Sequence, residues 1–202
     1  MSHPSVNLPR LDAQITLEDD GAAARLAVRY TIINPLAIPL LVFDRRWSDS
    51  LDDFDDEQVD VVFEADRAVL RRCYVDPPEG VLAGDDLVPY GRIVEPGASV
   101  LTTLHVPVPL HESGAWLRLR RRALVPRESR DATIRRVALE IGWSTLLDRD
   151  ALPSECRDGI ERRGEILLPV PAGLIAAAQQ IVVSETFYFT LAGSRFADGV
   201  LE

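Results

Sequence analysis

Lysine is absent from this chain: all 22 basic residues are arginine. That removes every mechanism needing a side-chain amine. A Walker-type phosphate loop, a pyridoxal-phosphate Schiff base and a Ser-Lys dyad all require one, so those classes are excluded. A GC-rich bacterial genome is the ordinary cause of such arginine usage. Methionine occurs only as Met1, and cysteine only as Cys73 and Cys156. Two cysteines so far apart in a cytoplasmic chain are expected as thiols. They also miss the immunoglobulin pattern, in which a Trp follows the first bridged Cys; here Trp47 precedes Cys73, and Trp116 and Trp143 lie well beyond it. Cys73 alternates within an apolar segment and is expected to be packed, Cys156 to be exposed.

No apolar run approaches the roughly 20 residues that span a bilayer. Met1-Ser2-His3-Pro4-Ser5 has neither the basic nor the apolar region of a secretory leader. No membrane association and a cytoplasmic location are therefore expected. A glycine-rich dinucleotide fingerprint and a CxxC are missing, and neither Gly97-Ala98-Ser99 nor Gly142-Trp143-Ser144 carries the second glycine of a hydrolase elbow. His3, His105 and His111 do not form the helical pair of a zinc protease. No catalytic residue, cofactor or metal site is assigned. The net charge of −10 disfavours nucleic acid as a partner, since phosphate binding draws on cations.

What the chain does contain is strand-period alternation. Leu26, Val28, Tyr30 and Ile32 alternate with Arg25, Ala27, Arg29 and Thr31, the signature of a strand with one buried face. An Asn34-Pro35 turn separates this run from Leu40 to Phe43. Leu11, Ala13, Ile15 and Leu17 form an earlier strand, joined through Glu18-Asp19-Asp20-Gly21 as a hairpin turn. Asp44 to Gln58 reads as a long acidic loop. Val59 to Phe63 and Val69 to Val75 read as a hairpin, and Val81 to Gly91 as a wandering connection. Glu95-Pro96-Gly97 is a turn into the strand Val100 to Val106, which Pro107 and Pro109 are expected to end. Trp116 to Val125 and Ile134 to Trp143 are further strands joined by a polar stretch from Pro126 to Ala132.

Ser144 to Gly164 reads as a loop with one helical turn, Pro171 to Gln180 as a short helix, and Ile181 to Leu191 as a strand. The expected fold is thus all-β: an antiparallel sandwich of immunoglobulin- or fibronectin-like kind, with one or two short helices near the C-terminal third. Residues 1–202 are expected to form one domain with an irregular segment about 144–180.

Two charged segments stand out. Asp49, Asp52, Asp53, Asp55, Asp56, Glu57 and Asp60 crowd one short stretch. Asp53, Asp55, Glu57 and Glu64 mimic positions of a calcium loop, but Gln58 stands where the sharp turn needs glycine. A solvated acidic loop guarding a strand edge is the better reading. Downstream, Arg118, Arg120, Arg121, Arg122, Arg127, Arg130, Arg135 and Arg136 face only Glu128 and Asp131. Ordinary solvation with local ion pairs is one reading; a surface for an acidic protein partner, or for another copy's acidic loop, is the sharper one. Trp47, between Arg45-Arg46 and the acidic stretch, is placed as an aromatic anchor.

The expectation is a non-catalytic interaction or assembly module. A protein partner or self-association would be engaged through Trp47, Asp53, Asp55, Glu57, Arg118, Arg120 and Arg122. The alternative is an enzyme or small-molecule binder whose pocket converges only in three dimensions.

Overall fold

A computed structural model describes residues 8–19, 21, 23–48, 53–75, 90–114, 129–145 and 154–196. In chain order its strands are β1 (Arg10–Asp19), β2 (Ala24–Ile33), β3 (Leu40–Ser48), β4 (Asp53–Asp55), β5 (Asp60–Glu64), β6 (Arg67–Arg72) and β7 (Tyr90–Val94). There follow β8 (Ser99–Val108), β9 (Leu110–His111), β10 (Ser129–Thr145), β11 (Ile160–Arg162), β12 (Glu165–Pro169), β13 (Gln180–Val183) and β14 (Phe187–Phe196). Two short helices, α1 (Ser154–Arg157) and α2 (Ala172–Ala178), lie between β10 and β13. None of the described helices is long and apolar enough to cross a membrane.

The alternation in β2 does what its period requires. Leu26, Val28, Tyr30 and Ile32 are all buried, while Arg25 and Arg29 point to solvent. Each buried aliphatic side chain contributes about 1.5–3 kcal/mol. β2 pairs with β1 on one side and β8 on the other, giving a three-stranded antiparallel sheet. Its inner face packs on a much larger sheet, and one core joins the two: Tyr30, Ile32 and Leu104 from the small sheet meet Val42, Leu70, Leu139, Ile141 and Trp143 from the large one. The architecture is all-β and sandwich-like.

The large sheet is organised by β10. One edge of this strand pairs first with β14 and then with β13; the other pairs with β6 and then with β3. β6 and β10 run parallel, as do β14 and β9, so the expected purely antiparallel pattern does not hold. β10 begins at Ser129, within the stretch expected as a polar connection, because Arg130, Asp131 and Thr133 sit on exposed positions of the strand. The expected strand from Ile181 to Leu191 follows a single edge of β10, interrupted at Ser184. There Val183 faces Glu140 and Phe187 faces Val137, so the outer chain holds one residue more, as at a bulge. Ser184 fills the gap: its amide donates to Leu139 O (2.9 Å), and Leu139 N donates to its hydroxyl (3.0 Å).

The Asn34 turn is a crossover between sheets, and Asn34 is fully buried. Its side-chain amide donates to Ile38 O and Val94 O, both at 2.9 Å, and its Oδ1 accepts from Leu36 N. Its backbone bonds to Gly97 and Ala98 of the Glu95 turn, which closes through Ala98 N to Glu95 O (3.0 Å) as expected. In the segment about 144–180 the expected helical turn is α1 and the expected short helix is α2, whose N-cap is Pro171; the β11–β12 hairpin is order beyond the expectation. β7 lies partly in the expected wandering connection, the rest of which falls outside the described residues, as does Trp116 to Val125. Both cysteines are buried thiols, so the expected exposure of Cys156 is corrected. It packs with Leu41, Phe43, Leu168, Val170 and Ile175 in a second cluster on the far side of β3.

Gly142 on β10 holds α2 close to the sheet. Gln179, the residue after α2, accepts from Tyr74 N and donates to Tyr74 O, both at 2.9 Å. A Cβ at Gly142 would strike the Gln179 amide and lie 2.7 Å from Cys73 Cβ. Gly142→Ala is therefore expected to cost about 1–3 kcal/mol in urea unfolding and to raise amide exchange at Tyr74.

Candidate functional site

A run of apolar residues ends at β3 in Asp44 and Arg45, and both are buried. Leu40 and Val42 face the main core, Leu41 and Phe43 the second cluster. Between Val42 and Arg45 the pairing with β7 slips: Val42 faces Arg92, but Arg45 faces Tyr90. That extra residue is a bulge, which re-aims side chains. It lets consecutive residues reach one polar chain.

Arg92 is the centre of that chain and is fully buried. Its Nη2 donates to Asp44 Oδ2 and to Thr102 Oγ1 (3.1 Å), and its Nη1 donates to Glu165 Oε1 at 2.7 Å. Tyr30 Oη donates to the same Asp44 oxygen (2.8 Å) and accepts from Arg72 Nη1 (3.1 Å). Glu165 spends its second oxygen on Arg45 Nη2 at 3.2 Å. Arg45 Nε approaches Asp56 Oδ1 at 3.6 Å. Asp56 in turn takes Arg162 Nη1 at 2.7 Å and Arg163 Nη1 at 3.0 Å. The chain of charges thus runs from the main core to an exposed turn.

Arginine outnumbers carboxylate along this path. Arg72, Arg92, Arg45, Arg162 and Arg163 face Asp44, Glu165 and Asp56. Burial alone would raise the Asp44 carboxyl, but the guanidinium groups of Arg92, Arg45 and Arg72, with the Tyr30 hydroxyl, outweigh it and hold it below its usual range. Arg92 is pushed up despite its own burial, by Asp44, Tyr30 and Glu165, and stays charged. The Tyr30 phenol is pushed up to about 12, chiefly by burial.

The outer end of the chain is the acidic stretch. β4 pairs with β3 through Arg46–Asp55, Trp47–Phe54 and Ser48–Asp53. The expected loop from Asp44 to Gln58 is therefore largely a strand pair, because Phe54 is buried. Its ring meets Tyr90 edge-on at 4.9 Å, and the Arg162 guanidinium lies over it at 5.5 Å. Asp55 Oδ1 accepts from Glu57 N (3.0 Å), and Glu57 lies 3.2 Å from His105 Nδ1.

Among the described side chains the carboxylates diverge rather than converge: Asp56 turns to the arginines, Glu57 to His105, and Asp60 is buried. Glu64 sits at the far end of β5 beside Arg67. Among the described residues no group of three or more His, Cys, Asp or Glu is placed to hold a metal ion. His111 lies on Ser194 Oγ at 2.7 Å, apart from His105. Arg163, at the turn of the β11–β12 hairpin, has φ 51°, and Gly164 has φ 79°. The primed turns that join two-residue hairpins need such angles, and the turn aims Arg163 at Asp56.

No protein-family model, no characterised protein and no solved structure matches this chain.

The expected site residues therefore divide. Trp47, Asp53 and Asp55 lie on the paired backbones of β3 and β4, and Glu57 lies in the turn that follows β4. Arg118, Arg120 and Arg122 lie outside the described residues. Arg130 and Arg135 are exposed on β10, and Arg136 pairs with Asp66 at 2.5 Å. Sequence reasoning missed Tyr30, Asp44, Arg45, Arg72, Arg92 and Glu165. The signal that could have found Arg92 is a charge inside the short strand Tyr90–Val94, on the same face as buried Val94.

Removing one member leaves its partners buried and uncompensated. Arg92→Met is expected to cost about 3–5 kcal/mol in urea unfolding. Arg163→Ala, at an exposed end of the same chain, is expected to stay within about 1 kcal/mol.

Tyr30→Phe is expected to cost about 1–3 kcal/mol, since it strips a hydrogen bond from both Asp44 and Arg72. The pH dependence has two signs. The lowered Asp44 group contributes stability above the usual carboxylate range, lost as pH falls below it. The raised Tyr30 group contributes stability below the usual tyrosine value of about 10, lost as pH rises from there to about 12. An ultraviolet titration should show this late tyrosinate in the parent protein and not in Tyr30→Phe.

Proposed function

We propose that this chain is a non-catalytic interaction module that presents its acidic β4–β5 turn to a basic protein surface. The scaffold serves as immunoglobulin- or fibronectin-like sandwiches do, with a rigid two-layer frame and charged connections at its end. One observation carries the reading: the clamp of Asp56 by Arg162 and Arg163 anchors the acidic turn to the β11–β12 hairpin and through Glu165 to the core. The turn is thereby held rigid, while the Glu57 side chain stays 64% exposed. A pre-ordered charged surface loses little freedom on binding, and its charge steers encounter. Trp47, Asp53 and Asp55 belong to the same end of the sandwich, and Arg118, Arg120 and Arg122 would supply the opposite charge in a heterologous contact.

The test is capture from the source lysate with immobilised full chain, washed at low and high salt. A reproducible partner released by salt, and retained at least about tenfold less by Glu57→Arg, is the expected result. Capture unaffected by both salt and Glu57→Arg, or no capture, overturns the reading.

A further inference from the structure

The outer edge of the three-stranded sheet is β1, and among the described residues β1 pairs with β2 alone. An open strand ten residues long is a template for another chain, and proteins commonly blunt such edges with proline or charge. The opposite edge of the sheet, β8, carries Pro107 within its paired length. β1 carries no proline. Its charges, Arg10, Asp12, Glu18 and Asp19, lie near its two ends.

That arrangement is self-complementary. In an antiparallel pair of two β1 strands related by a two-fold axis at Gln14, Arg10 of each copy stands opposite Glu18 of the other. Asp12 then faces Thr16, and Leu11 faces Leu17. Directly opposed side chains in such a pair share a face, about 4.5–5.5 Å apart. Leu17, which points with Ile15 toward the core side yet is 47% exposed, gains an apolar partner. Sliding the axis to Ile15 sets Asp12 against Glu18, a like-charge pair. Sliding it to Ala13 leaves Arg10 against Thr16 and Glu18 against Leu8. One register satisfies both charge and apolar pairing.

We infer that β1 is the docking edge for a second copy of this chain, forming an isologous dimer with a continuous six-stranded sheet centred on Gln14. Closed two-fold pairing uses each edge once and leaves the proline-bearing β8 strands outermost. The inference goes beyond the interaction-module reading: it concerns a different surface, the β1 edge, and stands independently of the acidic turn.

Two experiments on the full chain test it. Gln14→Cys places a thiol on the two-fold axis and is expected to form a covalent dimer under mild oxidation. Thr16→Cys does not, because its two copies would stand about 14 Å apart along the strands at roughly 3.4 Å per residue, beyond the ~7 Å a disulfide tolerates between Cα atoms. The native thiols, Cys73 and Cys156, are buried.

In sedimentation across a concentration series, Arg10→Glu or Glu18→Arg alone is expected to weaken the dimer about tenfold. The two together are expected to restore it. Within one copy Arg10 already contacts Asp12 (2.8 Å) and Arg25 contacts Glu18 (2.9 Å), so a purely internal effect would make the double swap worst.

A monomer at every concentration, equal cross-linking at both positions, or a double swap weaker than either single one overturns the proposal. If the chain is monomeric but still captures a salt-sensitive partner through the acidic turn, self-pairing fails and the module reading stands. If it dimerises through β1 yet captures nothing, the dimer holds and the acidic-turn reading falls.

Discussion

The buried pairing of Arg92 with Asp44 is the interaction on which the rest of the sandwich depends. A full guanidinium charge in the core is tolerable only when its hydrogen bonds are used on opposite charge and polar groups. Asp44, Thr102 and Glu165, on three different strands, accept from the two Nη groups of Arg92, and Tyr30 and Arg72 extend the chain beyond Asp44 from two more. The two layers are therefore held in one relative position by a directional contact, whereas apolar packing alone tolerates sliding. Because Glu165 also binds Arg45, the same constraint extends to the hairpin that grips the acidic turn.

Much of the frame was legible from period alone. β2 was readable because every second residue is a large apolar one, and the β5–β6 hairpin because Val61 and Phe63 alternate across a tight turn. The helix at Pro171 was readable from its alanines. What escaped were strands that carry charge: Asp44 to Ser48 and Asp53 to Asp55 look like loop until Phe54 is seen to be buried. Tyr90 to Val94 is cut by Arg92, and β10 starts with exposed Arg130 and Asp131. In each case a side chain's polarity concealed a backbone that pairs.

The candidate site was legible only at its rim. Acid crowding between Asp49 and Asp60 marked the stretch in which the buried ion-pair chain surfaces, but nothing local showed that Asp56 would turn to Arg162 and Arg163 from far along the chain. Ion pairs between distant strands leave no periodic trace. The bulge that turns Arg45 onto the same path as Asp44 is equally silent, since it depends on how β7 is matched against β3.

The placement of β10 has a consequence for how the molecule comes into being. This one strand pairs with β3 and β6 from early in the chain and with β13 and β14 from its far end. During synthesis the early strands must wait beside an empty slot, and after β10 arrives its second edge still lacks partners. Long-range pairing of this kind makes folding slow and leaves adhesive edges exposed meanwhile. The nascent protein is thus most vulnerable in the interval between the emergence of Ser129 and that of Phe196, and a holding chaperone would have most to do there.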